Sequence, residues 1–235
     1  VVASQVHLVR HGEVFNPDGI LYGRLPGFGL SKLGHRMALA AADDLAARDR
    51  PVSSLRVSPL QRTRESAAPI AEAFDLEPIV DDRIIEPTNH FEGTNMRRAL
   101  KNPVNWPFLI YPPRPSWGEA YTSIEKRMLA AVHDAFDSVE SGDVVLVSHQ
   151  LPIWVTHLSV AGESFPHDPR KRRCALSSVT TFERVSEAAP APQPRPGEEP
   201  APADPSAPPV LRLVEVGYAE PAGSLIATAT DVGAV

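Results

Sequence analysis

Two rhythms of apolar and polar positions alternate along this chain. Compact apolar runs at Gln5–Val9, Ser54–Val57, Leu76–Val80, Val144–Val147 and Ala175–Val185 read as strands. The stretches between them carry helical spacing. Leu33, Met37, Ala41 and Leu45 recur every four residues and predict a helix from the N-cap Ser31 to about Arg48. Ser58-Pro59 reads as an N-cap followed by proline at the first helical position, opening a helix to about Phe74. Tyr121–Val139 predicts a helix with Ile124, Met128, Ala131 and Phe136 near one face, and Pro152–Val160 predicts a shorter one. Strands alternating with helices imply an α/β fold, three layers α/β/α around a mainly parallel sheet. Right-handed crossovers then gather the loops that follow the strands at one sheet edge, where ligands bind in open α/β sheets.

The rhythm breaks twice. From Asp81 to Ser116 prolines recur, among them Pro87, Pro103, Pro107, Pro112, Pro113 and Pro115, and the segment reads as a cap or lid over a site. From Glu187 to Pro209 the chain is dominated by Ala, Pro and acidic residues, and too few large apolar side chains remain to offset the entropy of ordering. Val210–Val216 reads as a strand again. The expectation is one domain over 1–235, with 187–209 a disordered linker or hairpin insertion; a short C-terminal appendage is the alternative.

Composition narrows the function. Lys and Arg number 23 against 29 Asp and Glu, a net charge of −6, which argues against a nucleic-acid surface. A local Arg/His pocket for an anionic small molecule stays compatible with that balance. No apolar run approaches the ~18 residues of a membrane span, so a soluble, cytoplasmic protein with no membrane partner is expected. Cys174 is the single cysteine. It excludes an intrachain disulfide and a cysteine metal cluster, and is expected to be a small buried hydrophobe.

The candidate chemistry falls at strand ends. Arg10-His11-Gly12 follows the first strand, Arg62 lies in the first turns of the helix after the second, and His149 follows the Val144 strand. Glu86 stands at the mouth of the Pro-rich segment, with Glu92, Asp81 and Asp82 as nearby alternatives. Two arginines and two histidines around one point make a receptor for a doubly charged oxyanion. Neutral imidazole is a competent nucleophile, and a carboxylic acid can protonate a leaving oxygen. Lys171-Arg172-Arg173 reads as a solvated charge run, with recruitment of an anionic substrate as the alternative. Trp106, Tyr111 and Trp117 read as local packing, and His35, His133, His157 and His167 as helix or surface residues.

Leu8-Val9-Arg10-His11-Gly12-Glu13 resembles the opening motif of the histidine phosphatase superfamily, the phosphoglycerate-mutase-like proteins. The resemblance continues in order through Leu30-Ser31-Lys32-Leu33-Gly34, Ser58-Pro59-Leu60-Gln61-Arg62-Thr63, Ile85-Glu86, Phe91-Glu92-Gly93, Gly118-Glu119 and Val147-Ser148-His149, covering roughly residues 5 to 185. It implies the phosphoglycerate-mutase-like fold, with His11 as the nucleophile that becomes phosphohistidine. Arg10, Arg62 and His149 would hold the transferring phosphate, and Glu86 would act as acid, then base, with Glu92 the weaker candidate. Asn16, Arg24 and Gln150 would join the substrate contacts. Asn16 sits one residue closer to the first motif than in many members, the loop Tyr22–Gly29 lacks an acidic residue common there, and Gln150 replaces a more usual Gly. No metal or other cofactor is implied. The activity implied is hydrolysis of a small phosphorylated metabolite. Phosphoglycerate-mutase-type transfer and non-catalytic phospho-ligand binding are the alternatives, and a homodimer is left open.

Overall fold

The computed structural model describes residues 3–99, 101–109, 118–187 and 210–231. Its elements follow the order β1 (Val6–Arg10), α1 (Lys32–Ala47), β2 (Val52–Val57), α2 (Gln61–Phe74), β3 (Ile79–Val80), α3 (Met96–Ala99), α4 (Tyr121–Asp137), β4 (Asp143–Ser148), α5 (Gln150–Ala161), β5 (Val179–Glu187), β6 (Val210–Ala219) and α6 (Gly223–Ile226). The six strands form one sheet in the order β3-β2-β4-β1-β5-β6. β1 to β4 run parallel, whereas β5 is antiparallel to β1 and β6 to β5.

The central strands β4 and β1 are buried along their whole length. Their alternate side chains feed two cores. Val6, Leu8, Val144 and Leu146 pack with Ile124, Met128 and Phe136 of α4 and Ile153 and Val155 of α5. Val9, Val145 and Val147 pack with Ala41 and Leu45 of α1 and Ala67 and Ile70 of α2. The period of two in the strands thus produces the three layers. Each large apolar side chain so buried contributes about 1.5–3 kcal/mol relative to exposure.

Ser31 caps α1 as expected, its hydroxyl accepting from the Gly34 N–H at 2.9 Å. The helix expected from Ser58-Pro59 starts later, at Gln61, with Leu60 at the N-cap position and no side-chain cap. The Ser58 hydroxyl is committed elsewhere, at the site. β3 shrinks to two residues at the sheet edge. β5 starts at Val179 rather than Ala175, because a turn with Ser177 at φ 55° precedes it. β6 pairs along the whole of β5, from Val210 opposite Glu187 to Ala219 opposite Val179. The chain therefore departs after β5 and returns as β6 at neighbouring positions. Residues 188–209, Tyr111 and Trp117 lie outside the described residues. Among the described residues no helix is long and apolar enough to cross a membrane.

Candidate active site

Strand register assembles the site. Arg10 pairs with Ser148 across β1 and β4, and Val57 pairs with Val147 across β2 and β4. The next residues, His11 and His149, therefore leave adjacent parallel strands at one level, and Ser58 leaves the third strand one residue earlier, level with Ser148. The His11 N–H donates to the Ser148 carbonyl at 3.1 Å, and the Ser58 N–H to the Val147 carbonyl at 3.0 Å. The His11 and His149 rings lie edge to face with centroids 5.3 Å apart, both fully buried. α2 and α5 start just beyond these strand ends, so their free N–H groups point toward the same edge.

Backbone geometry fixes the tautomer of His11. Its Nδ1 donates to the Gly12 carbonyl at 2.8 Å, which leaves Nε2 as a bare lone pair with no protein partner. Burial, reinforced by the charges of Arg62 and Arg10, holds His11 well below the usual imidazole range, so the ring stays neutral. Gly12 is required by close approach: a Cβ there would lie 2.4 Å from the Gly34 carbonyl oxygen. A Cβ on Gly34 would in turn lie 2.0 Å from the Glu13 carbonyl oxygen. Two motifs far apart in sequence thus interlock through their glycines.

His149 is also held neutral, by burial first and then by Arg62 and His11. Its Nε2 lies 2.7 Å from the Ser58 hydroxyl and its Nδ1 3.4 Å from Glu86 Oε2. Glu86 is 1% exposed, and burial pushes its carboxyl up to about 7 against the pull of Arg62 and Arg10. Three contacts brace its segment. Ser148 Oγ donates to the Ile84 carbonyl at 2.7 Å, Arg127 to the Arg83 carbonyl at 2.6 Å, and Arg24 Nε to the Glu86 carbonyl at 2.5 Å. Glu92 has a different task. Its carboxylate lies against Gly23 and accepts from the N–H groups of Arg24 and Asn89, both at 3.2 Å.

Arg10 and Arg62 are among the largest fully buried side chains. The Arg62 guanidinium stacks on the Tyr22 ring at 4.7 Å, donates to the Gly23 carbonyl at 2.8 Å and lies 3.9 Å from Glu86 Oε2. Arg10 donates to the Cys174 carbonyl at 2.7 Å and to both carboxylate oxygens of Asp231, at 2.9 and 2.6 Å.

The outer candidates divide. Arg24 reaches the rim, bridging the Glu86 backbone and, at 3.6 Å, the Glu119 carboxylate. Gln150 donates to the Cys174 carbonyl that Arg10 also uses, and accepts from Arg172 at 3.1 Å. Asn16 closes its own loop, donating to the Ile20 carbonyl at 2.9 Å and accepting the Ile20 N–H at 3.2 Å.

Several contributors escaped sequence reasoning. Ser58 reads as a helix cap because Pro follows it. Arg172 sits in a basic run and reads as solvated, yet it turns inward to Gln150 and His167, close enough to Glu86 for their charges to interact. Asp231 carries no sequence signal at all.

Among the described residues, ten buried side-chain polar atoms lack a hydrogen-bond partner, and six of them belong to this cluster: Arg10 Nε, His11 Nε2, Arg62 Nε, both Glu86 carboxyl oxygens and His149 Nδ1. Buried polar atoms are normally paired, so the concentration marks a place built to receive a polar ligand. Donors from two guanidiniums suit a tetrahedral oxyanion. His11, Glu86 and His149 also offer three ligand-type atoms within 4.8 Å of one another, enough to hold a metal ion.

Comparison with known proteins agrees with the motif order. The model of the histidine phosphatase superfamily (branch 1) matches residues 6–189. The protein Rv0525 of Mycobacterium tuberculosis is 50% identical over 182 residues, covering 76% of this chain and 89% of its own. Phosphoserine phosphatase 1 of Hydrogenobacter thermophilus is 32% identical over 162 residues, covering 66% of this chain and 75% of its own. The mycobacterial glucosyl-3-phosphoglycerate phosphatase Rv2419c shares the fold, with a TM-score of 0.62 at 22% identity over 77% of this chain and 90% of its own.

Proposed function

The chain belongs to the histidine phosphatase superfamily, and from that premise we propose that it hydrolyses phosphomonoesters of small metabolites through a phosphohistidine on His11. The observation that carries this reading is the cluster of six unpartnered buried polar atoms around the two neutral imidazoles. The phosphatases among its relatives support the same reaction class.

The residues divide the work. The Nε2 lone pair of His11 attacks phosphorus as the ester P–O bond breaks. Arg10 and Arg62 face the non-bridging oxygens, where charge is spread in the transition state. The Ser58 hydroxyl donates to His149 Nε2, so that ring carries its proton on Nδ1 and offers an N–H to the phosphoryl group. Glu86, protonated near neutrality because it is buried, gives its proton to the leaving alkoxide. The resulting carboxylate then takes a proton from water, whose oxygen attacks phosphorus as the N–P bond breaks. Free imidazole and inorganic phosphate are the products, and Glu86 is protonated again. No metal is assigned to any of these steps.

The test is turnover of p-nitrophenyl phosphate together with 31P NMR of the denatured, rapidly quenched enzyme. Wild type gives an acid-labile, base-stable phosphoramidate signal, and His11→Ala gives neither signal nor turnover while keeping its near-UV circular dichroism. Turnover retained by the variant, or phosphate carried on another residue, would falsify the assignment.

A further inference from the structure

The Arg10 guanidinium has five N–H bonds, and their use can be followed one by one. Both on one terminal nitrogen are committed, to the Cys174 carbonyl and to Asp231 Oδ2. One on the other terminal nitrogen goes to Asp231 Oδ1 at 2.6 Å. The two that remain are Nε–H, buried and without a partner, and the second hydrogen of that terminal nitrogen. They lie on the same side of the guanidinium and form a side-on fork of the shape that takes two oxygens of one anion.

We propose that Asp231 is a positioning residue for the reaction: it grips the end of Arg10 so that the side-on fork faces the phosphoryl group. Asp231 stands outside the segment matched to the family, on the return of the chain after β6. Its approach is anchored independently of Arg10. The neighbouring Thr230 N–H donates to Glu13 Oε1 at 2.5 Å, and the other oxygen of Glu13 accepts from the α1 cap Ser31. Leu225, Ile226 and Ala229 pack on Met37 and Leu176. Met37 is on α1, so the tail is tied to the helix that follows the Arg10-His11-Gly12 loop. The carboxylate also offsets the burial of the Arg10 charge. The tail after β6 therefore belongs to the phosphate-binding apparatus.

The inference rests on the oxyanion reading of the site, so its test reads anion binding as well as turnover. Inorganic phosphate is titrated calorimetrically into the full chain. Asp231→Asn keeps the shape and removes the carboxylate grip; it should weaken phosphate binding by about tenfold, the scale of one charge-assisted hydrogen bond. In an Arg10→Ala background the same change should do nothing further. Under turnover, KM should rise with a smaller change in kcat. Unchanged phosphate affinity would overturn the proposal. So would tighter binding, the result expected of a carboxylate that competes with substrate. If Asp231→Asn melts early, 15N-arginine NMR of the wild type decides. The Arg10 Nε–H resonance must move on adding phosphate, and a stationary resonance overturns the assignment. A wild type that turns over no ester but keeps this binding pattern would sink the proposed reaction and leave the role of Asp231 standing.

Discussion

The hydroxyl of Ser58 and Nε2 of His149 lie 2.7 Å apart in full burial, joining the ends of two neighbouring parallel strands. In the proposed mechanism the hydroxyl donates across this contact, which places the His149 proton on Nδ1. Ser58→Ala leaves Nε2 unsatisfied at about 1–3 kcal/mol. We expect kcat/KM to fall roughly tenfold or more, with His149 shifting toward the other tautomer. Long-range 1H–15N NMR of the imidazoles reads this directly; an unchanged tautomer at wild-type rate would remove Ser58 from the mechanism.

In the proposed reaction Glu86 links catalysis to stability through one proton. Its carboxyl is raised from 4.5 to about 7. Between those values the folded protein keeps a proton that the unfolded chain releases, so this group's contribution is present at low pH and is lost as pH rises. Relative to Glu86→Gln, the wild type should lose stability from pH 4.5 to 7 and then level off; urea midpoints at several pH values test the sign. Turnover of esters with poor leaving groups should instead hold up to neutrality and decline as pH rises through about 7, where the folded protein gives up this proton. A variant that slows good and poor leaving groups equally would point to another acid.

His11 and His149 pull the other way, because burial holds both below the ordinary value of 6.5. The unfolded chain binds protons there that the folded one refuses, so their contribution is present above pH 6.5 and is lost as pH falls. In wild type the two trends oppose each other on the acid side. Glu86→Gln should expose the histidine trend as a steeper loss of stability with acid, and an identical acid slope in both proteins would contradict this assignment.

Gly34 and Gly223 make a paired steric test. A methyl at Gly34 meets the Glu13 carbonyl at 2.0 Å, backbone against backbone, whereas one at Gly223 meets nothing within 4 Å. Gly34→Ala should cost about 1–3 kcal/mol and disturb the Gly12 carbonyl that orients His11. Gly223→Ala should stay within about 0.5 kcal/mol of wild type. Equal denaturation midpoints for the two variants would show that the loop yields freely.

His11, Glu86 and His149 are close enough to take a metal ion. An ion there would occupy the lone pair that the proposed attack needs. Zinc should therefore inhibit competitively with substrate, and a chelator should leave the rate of the purified protein unchanged. Activity lost to the chelator and restored by a metal would replace the proposed mechanism with a metal-assisted one.

Periodicity marked most elements because the strands and helices bury continuous apolar faces. Its errors fall where a side chain chose a distant partner over a local one. Ser58 has the spelling of a cap, but its hydroxyl bonds His149, and the helix starts beyond it. Arg172 has the setting of a solvated charge, but it reaches Gln150 and His167. Glu86 and Glu92 are equivalent as letters. Burial beside His149 separates the first from the second, whose carboxylate serves the backbone of Arg24 and Asn89.

The sequence by itself determined the alternation of strands and helices, the balance of charge, and the ordered motifs that carry the family. These depend on neighbouring residues, on sums over the chain, or on residues met in sequence order. Tertiary structure alone decided the strand register that levels His11 with His149, the burial that keeps both rings neutral and raises Glu86, and the return of Asp231 to Arg10. Those properties arise from the low-dielectric space between segments far apart in the chain, and no local pattern of residues encodes it.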